Sequence, residues 1–341
     1  MNDVKTAETV LRVRDLAVEF SLRGSVARAV DGVGFEVRAG EIVGMVGESG
    51  SGKSVTMLAL LGLVPRPGRV VAGSVRLRDI ELGALSLREL ARLRGRQMAL
   101  IPSDAGAALN PVTRIGSQVG EGLAAHLPEL PRAERPARIL DILKRVGLPR
   151  PEQQVRRYPH ELSGGMQQRV AVAMGVQLGP DLLIADEPTT ALDVTIQAQI
   201  LQLLLDVREQ SGTSILFITH DMTTVAEICD RVLVMYAGQI VESGPVVDVC
   251  TAPAHPYTRA LLDAIPPLGG DPPERLTTIP GAPPDPRAWP AGCRFAERCR
   301  LREQLGNPDK CTSLAPELAS DGAGRRSRCH FTGSAAEAVV R

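Results

Sequence analysis

The pattern of apolar and polar positions predicts strands near the start of the chain. Apolar residues alternate with polar ones along residues 11–20 and again along 33–37, which is the two-residue period of a half-buried strand. An unbroken apolar run at 42–46 predicts a fully buried strand, and residues 54–63 predict a helix directly after it. Helical spacing of apolar residues recurs farther along the chain at residues 86–97, 115–127, 132–146, 166–177 and 194–210.

Further strand patterns alternate with those helices. Residues 181–186 and 214–219 each read as a short apolar strand, and residues 232–242 read as a hairpin around Ala237 and Gly238. Strands that alternate with helices predict a mainly parallel sheet. From about Cys250 onward Pro and Gly become frequent and the periodicity fades, so we predict a tail of irregular structure.

Composition narrows the classes of function. A chain of 341 residues is long enough for two or three packed units. The 39 basic residues balance the 39 acidic ones, and aromatic residues make up 3%, so the chain lacks the overall positive charge and the stacking residues typical of nucleic-acid binding. No apolar run is long enough to span a bilayer, and the N-terminus has no apolar core of a secretory signal. We therefore expect a cytosolic protein.

A glycine-rich loop follows the buried strand and opens the next helix. Its sequence matches G-x-x-x-x-G-K-[ST], the loop that wraps nucleotide phosphates with backbone N–H groups. Lysine would reach the terminal phosphates, and the last hydroxyl would bind Mg²⁺. The candidate nucleotide-binding residues are Gly47, Glu48, Ser49, Gly50, Ser51, Gly52, Lys53 and Ser54.

Two other strands end in residues suited to ATP chemistry. Asp186 and Glu187 end one strand, and His220 ends another. Ligands of a parallel sheet bind beyond the carboxyl ends of its strands. We expect Asp186 to hold Mg²⁺, Glu187 to polarise the attacking water, and His220 to contact the γ-phosphate. The alternative for each is a solvated or structural side chain.

The segment Leu162–Arg169 reads Leu-Ser-Gly-Gly-Met-Gln-Gln-Arg, a second anion-binding nest at a helix start. Together with the glycine loop, the acidic pair, the Ala191-Leu192-Asp193 segment and His220, it closely resembles the nucleotide-binding subunits of ABC transporters. The resemblance implies an α/β fold with a RecA-like P-loop ATPase core, an antiparallel β part and a helical insert. It divides the chain into a first core half (10–98), the helical insert (99–180), a second core half (181–248) and a C-terminal extension (249–341).

The same resemblance implies that two such subunits clamp ATP between them, in head-to-tail fashion. The nest of one subunit would contact the nucleotide held by the loop of the other, with Asp193 crossing the interface. The residues implied for the nest are Ser163, Gly164, Gly165 and Gln167. An aromatic residue near the first strands stacks on adenine in this family, and Phe20 is the candidate; its alternative is a buried strand residue.

The tail resembles the C-terminal extension of oligopeptide, dipeptide and nickel permease ATPases. The residues that carry this resemblance are His255–Leu262, Pro280–Pro284, Gly292–Phe295 and Cys299. It implies an ATPase on the cytoplasmic face of the bacterial inner membrane. Its expected partners are a second ATPase subunit, two transmembrane permease subunits and an extracytoplasmic substrate-binding protein, with no nucleic acid. Peptides are the favoured cargo, and nickel or another small solute is the alternative.

One position departs from the family pattern. Ser103 stands where relatives carry a glutamine that contacts Mg²⁺ and the attacking water, and Pro102 replaces an aromatic residue. Serine is shorter and reaches as far only through a bridging water. We therefore consider two hypotheses. In the first, the ATP site of this chain hydrolyses slowly and is paired in a heterodimer with a more active ATPase. In the second, the change to Ser103 has no effect on hydrolysis. Ser103 remains a third candidate ligand for Mg²⁺, beside Ser54 and Asp186.

Besides Cys250 at its start, the tail holds four of the six cysteines. Cys293, Cys299, Cys311 and Cys329 are separated by five, eleven and seventeen residues, which matches neither a zinc knuckle nor a ferredoxin run. Their spacing leaves open an iron–sulfur cluster, Zn²⁺ or buried thiols, with His255 and His330 as less favoured substitute ligands. The subfamily resemblance implies a structural [4Fe–4S] cluster, with Zn²⁺ as the alternative. Cys229 and Cys250 are expected to pack in the interior.

Overall fold

The computed structural model describes residues 8–190, 192–266, 278–322 and 324–332. In these ranges the strands are β1 (Thr9–Leu22), β2 (Ser25–Arg38), β3 (Ile42–Val46), β4 (Gly68–Leu77), β5 (Ile80–Glu81), β6 (Met98–Ile101), β7 (Leu182–Asp186), β8 (Ser214–Thr219), β9 (Arg231–Tyr236), β10 (Gln239–Pro245), β11 (Ala319–Ser320) and β12 (Arg326–Ser327).

The helices alternate with the strands of the core and continue into the tail. They are α1 (Lys53–Leu60), α2 (Leu87–Leu93), α3 (Ala105–Ala108), α4 (Ile115–His126), α5 (Arg135–Arg145), α6 (Pro151–Gln154), α7 (Gly164–Val176), α8 (Val194–Ser211), α9 (Met222–Ile228), α10 (Val246–Thr251), α11 (Pro256–Asp263), α12 (Arg300–Gln304) and α13 (Lys310–Ser313). Within the described ranges, no helix combines the length and the apolar character that a membrane crossing requires.

The chain divides into two compact units. The first unit is built mainly from residues 77–217. In it β8, β7 and β6 lie side by side in that order, and β6 pairs with β7 in parallel, with Met98 opposite Leu182. Helix α7 packs on these strands at Gly175, where a Cβ would stand 3.3 Å from both Ile101 and Leu183. A parallel sheet covered by helices buries its strands on both faces, and Leu182–Ala185 are fully buried.

The second unit contains Arg12–Glu36, Ile42–Arg76 and the chain from Ile218 onward. Its larger sheet has the order β11-β12-β10-β9-β3, in which β3 and β9 are parallel and the pairs from β9 to β11 are antiparallel. In a second sheet, β2, β1 and β4 are neighbours in that order. The tail therefore adds strands to the sheet that contains β3, the strand before the glycine loop.

The structure confirms most of the predicted elements. Strands β1, β2, β3, β7 and β8, the hairpin of β9 and β10, and helices α1, α4, α5, α7 and α8 all occur where the hydrophobic pattern predicts them. The hairpin turns through Ala237 (φ 48°) and Gly238 (φ 80°), as a two-residue turn requires. The helix predicted for 86–97 ends early, at Leu93, because Gly95 adopts a positive φ of 84°.

Other elements were not predicted. Strands β4 and β6 were missed, and helices α10 to α13 replace part of the irregular tail. Strand β6 extends the core past residue 98 and pairs with β7. It shows no clear period because a four-residue strand buried on both faces presents only a short apolar run. The division of the chain at residues 98 and 99 stays a prediction.

Candidate functional site

The glycine loop lies between β3 and α1, as predicted. All five residues of β3 are buried, so the loop starts from a fixed strand end. A Cβ on Gly47 would collide with the carbonyl oxygen of Met235, and one on Gly52 (φ 107°) would stand 2.7 Å from that of Ala29. Both glycines are therefore required by packing and backbone conformation, whatever the loop binds.

Polar groups inside this loop suit an anionic ligand. Lys53 is only 6% exposed, and its ammonium donates to the carbonyl oxygens of Gly47 (2.6 Å) and Glu48 (3.0 Å). The Ser51 hydroxyl is buried and has no hydrogen-bond partner within the described residues. Ser54 is exposed at the first turn of α1. A buried ammonium and an orphaned hydroxyl at a helix start fit phosphate oxygens.

The tail contacts the same loop, which sequence analysis missed. The guanidinium of Arg298 donates to both carboxylate oxygens of Glu48, at 2.7 and 2.9 Å. The hydroxyl of Tyr257 accepts a hydrogen bond from the backbone N–H of Glu48 at 2.8 Å. No sequence signal pointed to these contacts, because 250 residues separate Glu48 from Arg298.

Phe20 lies on β1 and is half-buried. A Cβ on Gly68 would stand 2.6 Å from Cε1 of its ring, so the ring packs against the backbone at the start of β4. One face of Phe20 thus has a structural partner, and its stacking on adenine stays a prediction.

The acidic pair lies in the first unit. Asp186 is the last residue of β7, and Glu187 follows it with a positive φ of 45°. The hydroxyl of Thr190 donates to Oε2 of Glu187 at 2.9 Å. A left-handed backbone at a non-glycine residue stores strain and is found disproportionately at functional sites. Nothing in the residue pattern indicated this conformation.

The predicted second nest starts helix α7. Ser163 is the N-cap residue and is exposed, yet its side chain makes no capping hydrogen bond. A Cβ on Gly165 would stand 2.7 Å from Cγ2 of Ile196, so this glycine allows α7 to approach α8 closely. Gln167 donates to the carbonyl oxygen of Pro159 at 2.8 Å and so holds the turn before the nest.

The structure brings the nest together with the segment that contains Asp193. A Cβ on Gly164 would stand 3.9 Å from Cδ2 of Leu192, which is an ordinary van der Waals contact. Asp193 is exposed and caps α8, accepting a hydrogen bond from the N–H of Ile196 at 2.9 Å. Ala191, quoted with this motif, lies outside the described residues.

The two remaining candidates are exposed at strand ends. Ser103 follows β6, and the neighbouring Asp104 caps α3 by accepting from the N–H of Ala107 at 2.9 Å. His220 follows β8, two residues before α9 begins. Exposure leaves both side chains accessible to a ligand.

The four tail cysteines line one cavity, together with Phe295 and Phe331. The N–H of Cys293 donates to the carbonyl oxygen of Cys311 at 2.8 Å, and this bond joins two of the cysteine segments. Burial raises the pKa of Cys293 to about 12 and that of Cys329 to about 11. These thiols are therefore protonated at neutral pH unless a metal displaces the protons.

The chemistry of the four cysteine thiols suits a metal centre, but the positions of the side chains do not. Four thiols around one cavity suit a soft metal centre. Among the described residues, however, no three or more His, Cys, Asp or Glu side chains stand close enough to hold one metal ion. The expected [4Fe–4S] cluster and the alternative Zn²⁺ are therefore not supported by this arrangement of the side chains. Cys229 is buried, as expected, whereas Cys250 is only half-buried.

Comparisons with known protein families agree with the motifs. A family model described as ABC transporter matches residues 30–190. A model described as oligopeptide/dipeptide transporter, C-terminal region, matches residues 241–305. The second match spans most of β10, both short helices that follow it and the first tail cysteines.

Known relatives resemble nearly the whole chain. A probable peptide ABC transporter ATP-binding protein of Sinorhizobium fredii is 48% identical over 324 residues, or 95% of each chain. A dipeptide transport ATP-binding protein of Escherichia coli is 44% identical and covers 94% of this chain and 96% of its own. Among solved structures, a dimeric ATP-binding cassette in a post-hydrolysis state, bound to ADP and phosphate, superposes with a TM-score of 0.62 at 27% identity. That match covers 98% of the cassette and 69% of this chain.

Proposed function

This chain belongs to the ABC transporter ATP-binding proteins of the oligopeptide and dipeptide type, and from that premise we propose that it hydrolyses ATP to drive a membrane-bound peptide importer. The observation that carries the proposal is the phosphate loop, with its buried Lys53 and its orphaned Ser51 hydroxyl. Full-length similarity to proteins named for peptide and dipeptide transport supports the choice of cargo.

In the proposed reaction the loop from Gly47 to Ser54 binds the triphosphate of ATP, and Phe20 stacks on adenine. Glu187 accepts a proton from water as the water oxygen attacks the γ-phosphorus. The bond to the β,γ-bridging oxygen breaks, and ADP leaves with phosphate. His220 contacts the γ-phosphate and orients the water.

Ser54 and Asp186 are the residues that would hold Mg²⁺, with Ser103 as a third oxygen donor. Hydroxyl and carboxylate oxygens are the ligands that this hard cation prefers. When bound, the ion neutralises charge that develops on the phosphate oxygens.

ATP is proposed to be closed between two ATPase subunits. Ser163, Gly164, Gly165 and Gln167 of one subunit would face the phosphates held by the loop of the other, and Asp193 would cross the interface. The exposed Ser163 hydroxyl, which forms no capping bond in this chain, supports an outward role. The solved cassette bound to ADP and phosphate is likewise a dimer.

The other proposed partners are two transmembrane permease subunits and an extracytoplasmic substrate-binding protein. The second ATPase subunit is proposed to be a different chain, so that the pair is a heterodimer on the cytoplasmic face of the bacterial inner membrane. Ser103 favours this arrangement, because a shorter side chain at the glutamine position predicts a slow site beside a faster one. Nickel or another small solute remains the alternative cargo.

The tail is proposed to hold a [4Fe–4S] cluster through Cys293, Cys299, Cys311 and Cys329, with Zn²⁺ as the alternative. Four thiols that line one cavity are the donor type that such a cluster takes, and binding would have to draw together side chains that in the described residues stand too far apart to hold one metal ion. Iron, sulfide and zinc analysis of protein purified without oxygen tests it. Four Cys→Ser substitutions should remove the metal, and metal-free wild-type protein would contradict the proposal.

Transport in reconstituted vesicles tests the main proposal. The assembled transporter, with its permeases and binding protein, should take up a labelled dipeptide in an ATP-dependent manner, and Lys53→Ala should abolish uptake. Lys144→Ala is the matched control, because Lys144 is an exposed lysine paired with Glu152 far along the chain from the loop. Uptake of labelled nickel without uptake of dipeptide would favour the alternative cargo.

A further inference from the structure

An acidic side chain lies inside the phosphate loop, directly after its first glycine. The carboxylate of Glu48 is held by Arg298 in a bidentate ion pair, and the Arg298 side chain is only 5% exposed. The hydrogen bonds to Glu48 raise the pKa of Arg298 above its ordinary value. Bidentate pairs between guanidinium and carboxylate are among the strongest and most directional in proteins.

Arg298 is itself held in place by several neighbours. Its guanidinium donates to the carbonyl oxygen of Pro280 at 2.7 Å and to the Tyr236 hydroxyl at 3.2 Å. It also lies over the ring of Tyr236, 5.7 Å from the centroid. A long side chain fixed at this many points loses its rotamer freedom on folding rather than on ligand binding.

An aromatic cluster supports the loop from the same side. The rings of Tyr236, Tyr257 and Phe295 are fully or almost fully buried, with centroids 4.5 to 5.4 Å apart. The chain has only nine aromatic residues, so three of them are concentrated here. The Tyr257 hydroxyl accepts from the N–H of Glu48, which fixes the loop backbone at that residue.

Charge explains why the loop needs this support. A carboxylate within a phosphate-binding loop repels the anionic triphosphate, and because the Glu48 side chain is only 26% exposed, water screens this repulsion incompletely. Arg298 compensates that charge, and the hydrogen bond from the Glu48 N–H to Tyr257 holds the loop backbone at that residue before nucleotide arrives. Binding then requires less reorganisation of the loop.

We infer that Arg298 and Tyr257, both in the C-terminal extension, are positioning residues of the nucleotide site: they neutralise Glu48 and preform the phosphate loop. The inference rests on the proposed role of that loop in binding ATP. It assigns to the extension a part in nucleotide binding besides any metal that its cysteines hold. Arg298 directly precedes Cys299 in sequence, so the cysteine cavity and the loop share one short segment.

Nucleotide affinity of charge variants tests this inference. MgATP binding to the full-length chain is measured by calorimetry for the wild type, R298A, E48Q and the double variant R298A/E48Q. R298A should weaken binding about tenfold, because the Glu48 carboxylate is left uncompensated. E48Q should bind MgATP more tightly than the wild type, because it removes the carboxylate and leaves the charge of Arg298, and the double variant should recover to within about threefold of the wild type.

Three further variants separate positioning from folding. R298K keeps the charge without the bidentate geometry and should lose less affinity than R298A. Y257F removes only the hydroxyl and should weaken binding about threefold, with the melting temperature measured in parallel. R325A is the control. Arg325 donates to Asp321 and to the Ala252 carbonyl oxygen within the tail and does not touch the loop, so the affinity of R325A for MgATP should equal that of the wild type.

The outcomes are distinct. Wild-type affinity in R298A, or a loss in R298A that E48Q does not relieve, overturns the inference while the proposed function stands. Failure of the wild-type chain itself to bind MgATP overturns the proposed function instead.

Discussion

The phosphate loop and the second nest at Ser163 both offer backbone N–H groups at a helix start, but the chain treats them differently. The phosphate loop is enclosed: Gly47 and Gly52 pack against backbone carbonyl groups, and Arg298 holds Glu48. The nest is open, since Ser163 and Gly164 are exposed and the Ser163 side chain caps nothing.

This difference separates a site that is complete within one chain from one that is not. The side chain of a serine at an N-cap usually accepts a hydrogen bond from a backbone N–H in the first turn of the helix. Ser86 does so at the start of α2, where it accepts from the N–H of Glu89. Ser163 makes no such capping bond, so its hydroxyl stays available to a group outside the chain. The comparison therefore predicts that changes in the phosphate loop affect binding, while changes in the nest affect turnover in the assembled pair.

The largest effect is expected for Glu187→Gln. Loss of the proposed general base should lower kcat for ATP by about 10²- to 10⁴-fold, with MgATP binding retained because the phosphate loop is unchanged. Single-turnover ATPase of the assembled transporter measures this. Glu152→Gln, at an exposed ion pair with Lys144, should leave the rate unchanged, and an equal loss in both variants would argue against a catalytic role.

Ser163→Ala is the sharpest test of the open nest. Removal of one donor to the transferring phosphate should lower kcat by about 10²-fold, without loss of thermal stability, since no cap bond is broken. Ser86→Ala should do the opposite and reduce the free energy of unfolding by about 1 kcal/mol with normal ATPase. If Ser163→Ala destabilised the fold and left ATPase intact, the nest would be an ordinary helix cap.

Gly47→Ala tests the enclosure of the loop. The added Cβ meets the Met235 carbonyl oxygen, and overpacking of this kind lowers the free energy of unfolding by about 1 to 3 kcal/mol. Denaturant unfolding measures the change. Gly34→Ala is the matched control, because a Cβ there meets Val13 at an ordinary 3.5 Å. Equal stabilities for the two variants would show that the loop is looser than its packing implies.

The smallest effect is expected at Ser103. Ser103→Gln restores the longer amide of the family pattern and should raise ATPase of the assembled pair by roughly threefold, since one bridging water is replaced by a direct contact. Steady-state ATPase and coupled uptake are the readouts. If Ser103→Gln changed neither the ATPase rate nor the coupling of ATPase to uptake, the proposal of a slow site would be contradicted.

The sequence was sufficient to predict the elements and motifs that are determined by residues close together in the chain. The apolar run of β3, the glycine loop and the start of α7 each lie within a short segment, so period and motif were enough. Contacts across long separations were missed, including the pair of Arg298 with Glu48 and the addition of β12 beside β10. The positive φ of Glu187 and the missing cap bond of Ser163 were also not predicted, because residue type alone fixes neither a backbone dihedral angle nor a side-chain rotamer.

A photo-crosslinking residue placed at position 163 tests the central claim, that ATP is closed between the phosphate loop of one subunit and the nest of another. In the assembled transporter with Glu187→Gln and MgATP, crosslinks should map to the glycine loop of the paired ATPase subunit and should disappear without nucleotide. Crosslinks that persist unchanged without ATP, or that map away from that loop, would contradict the account.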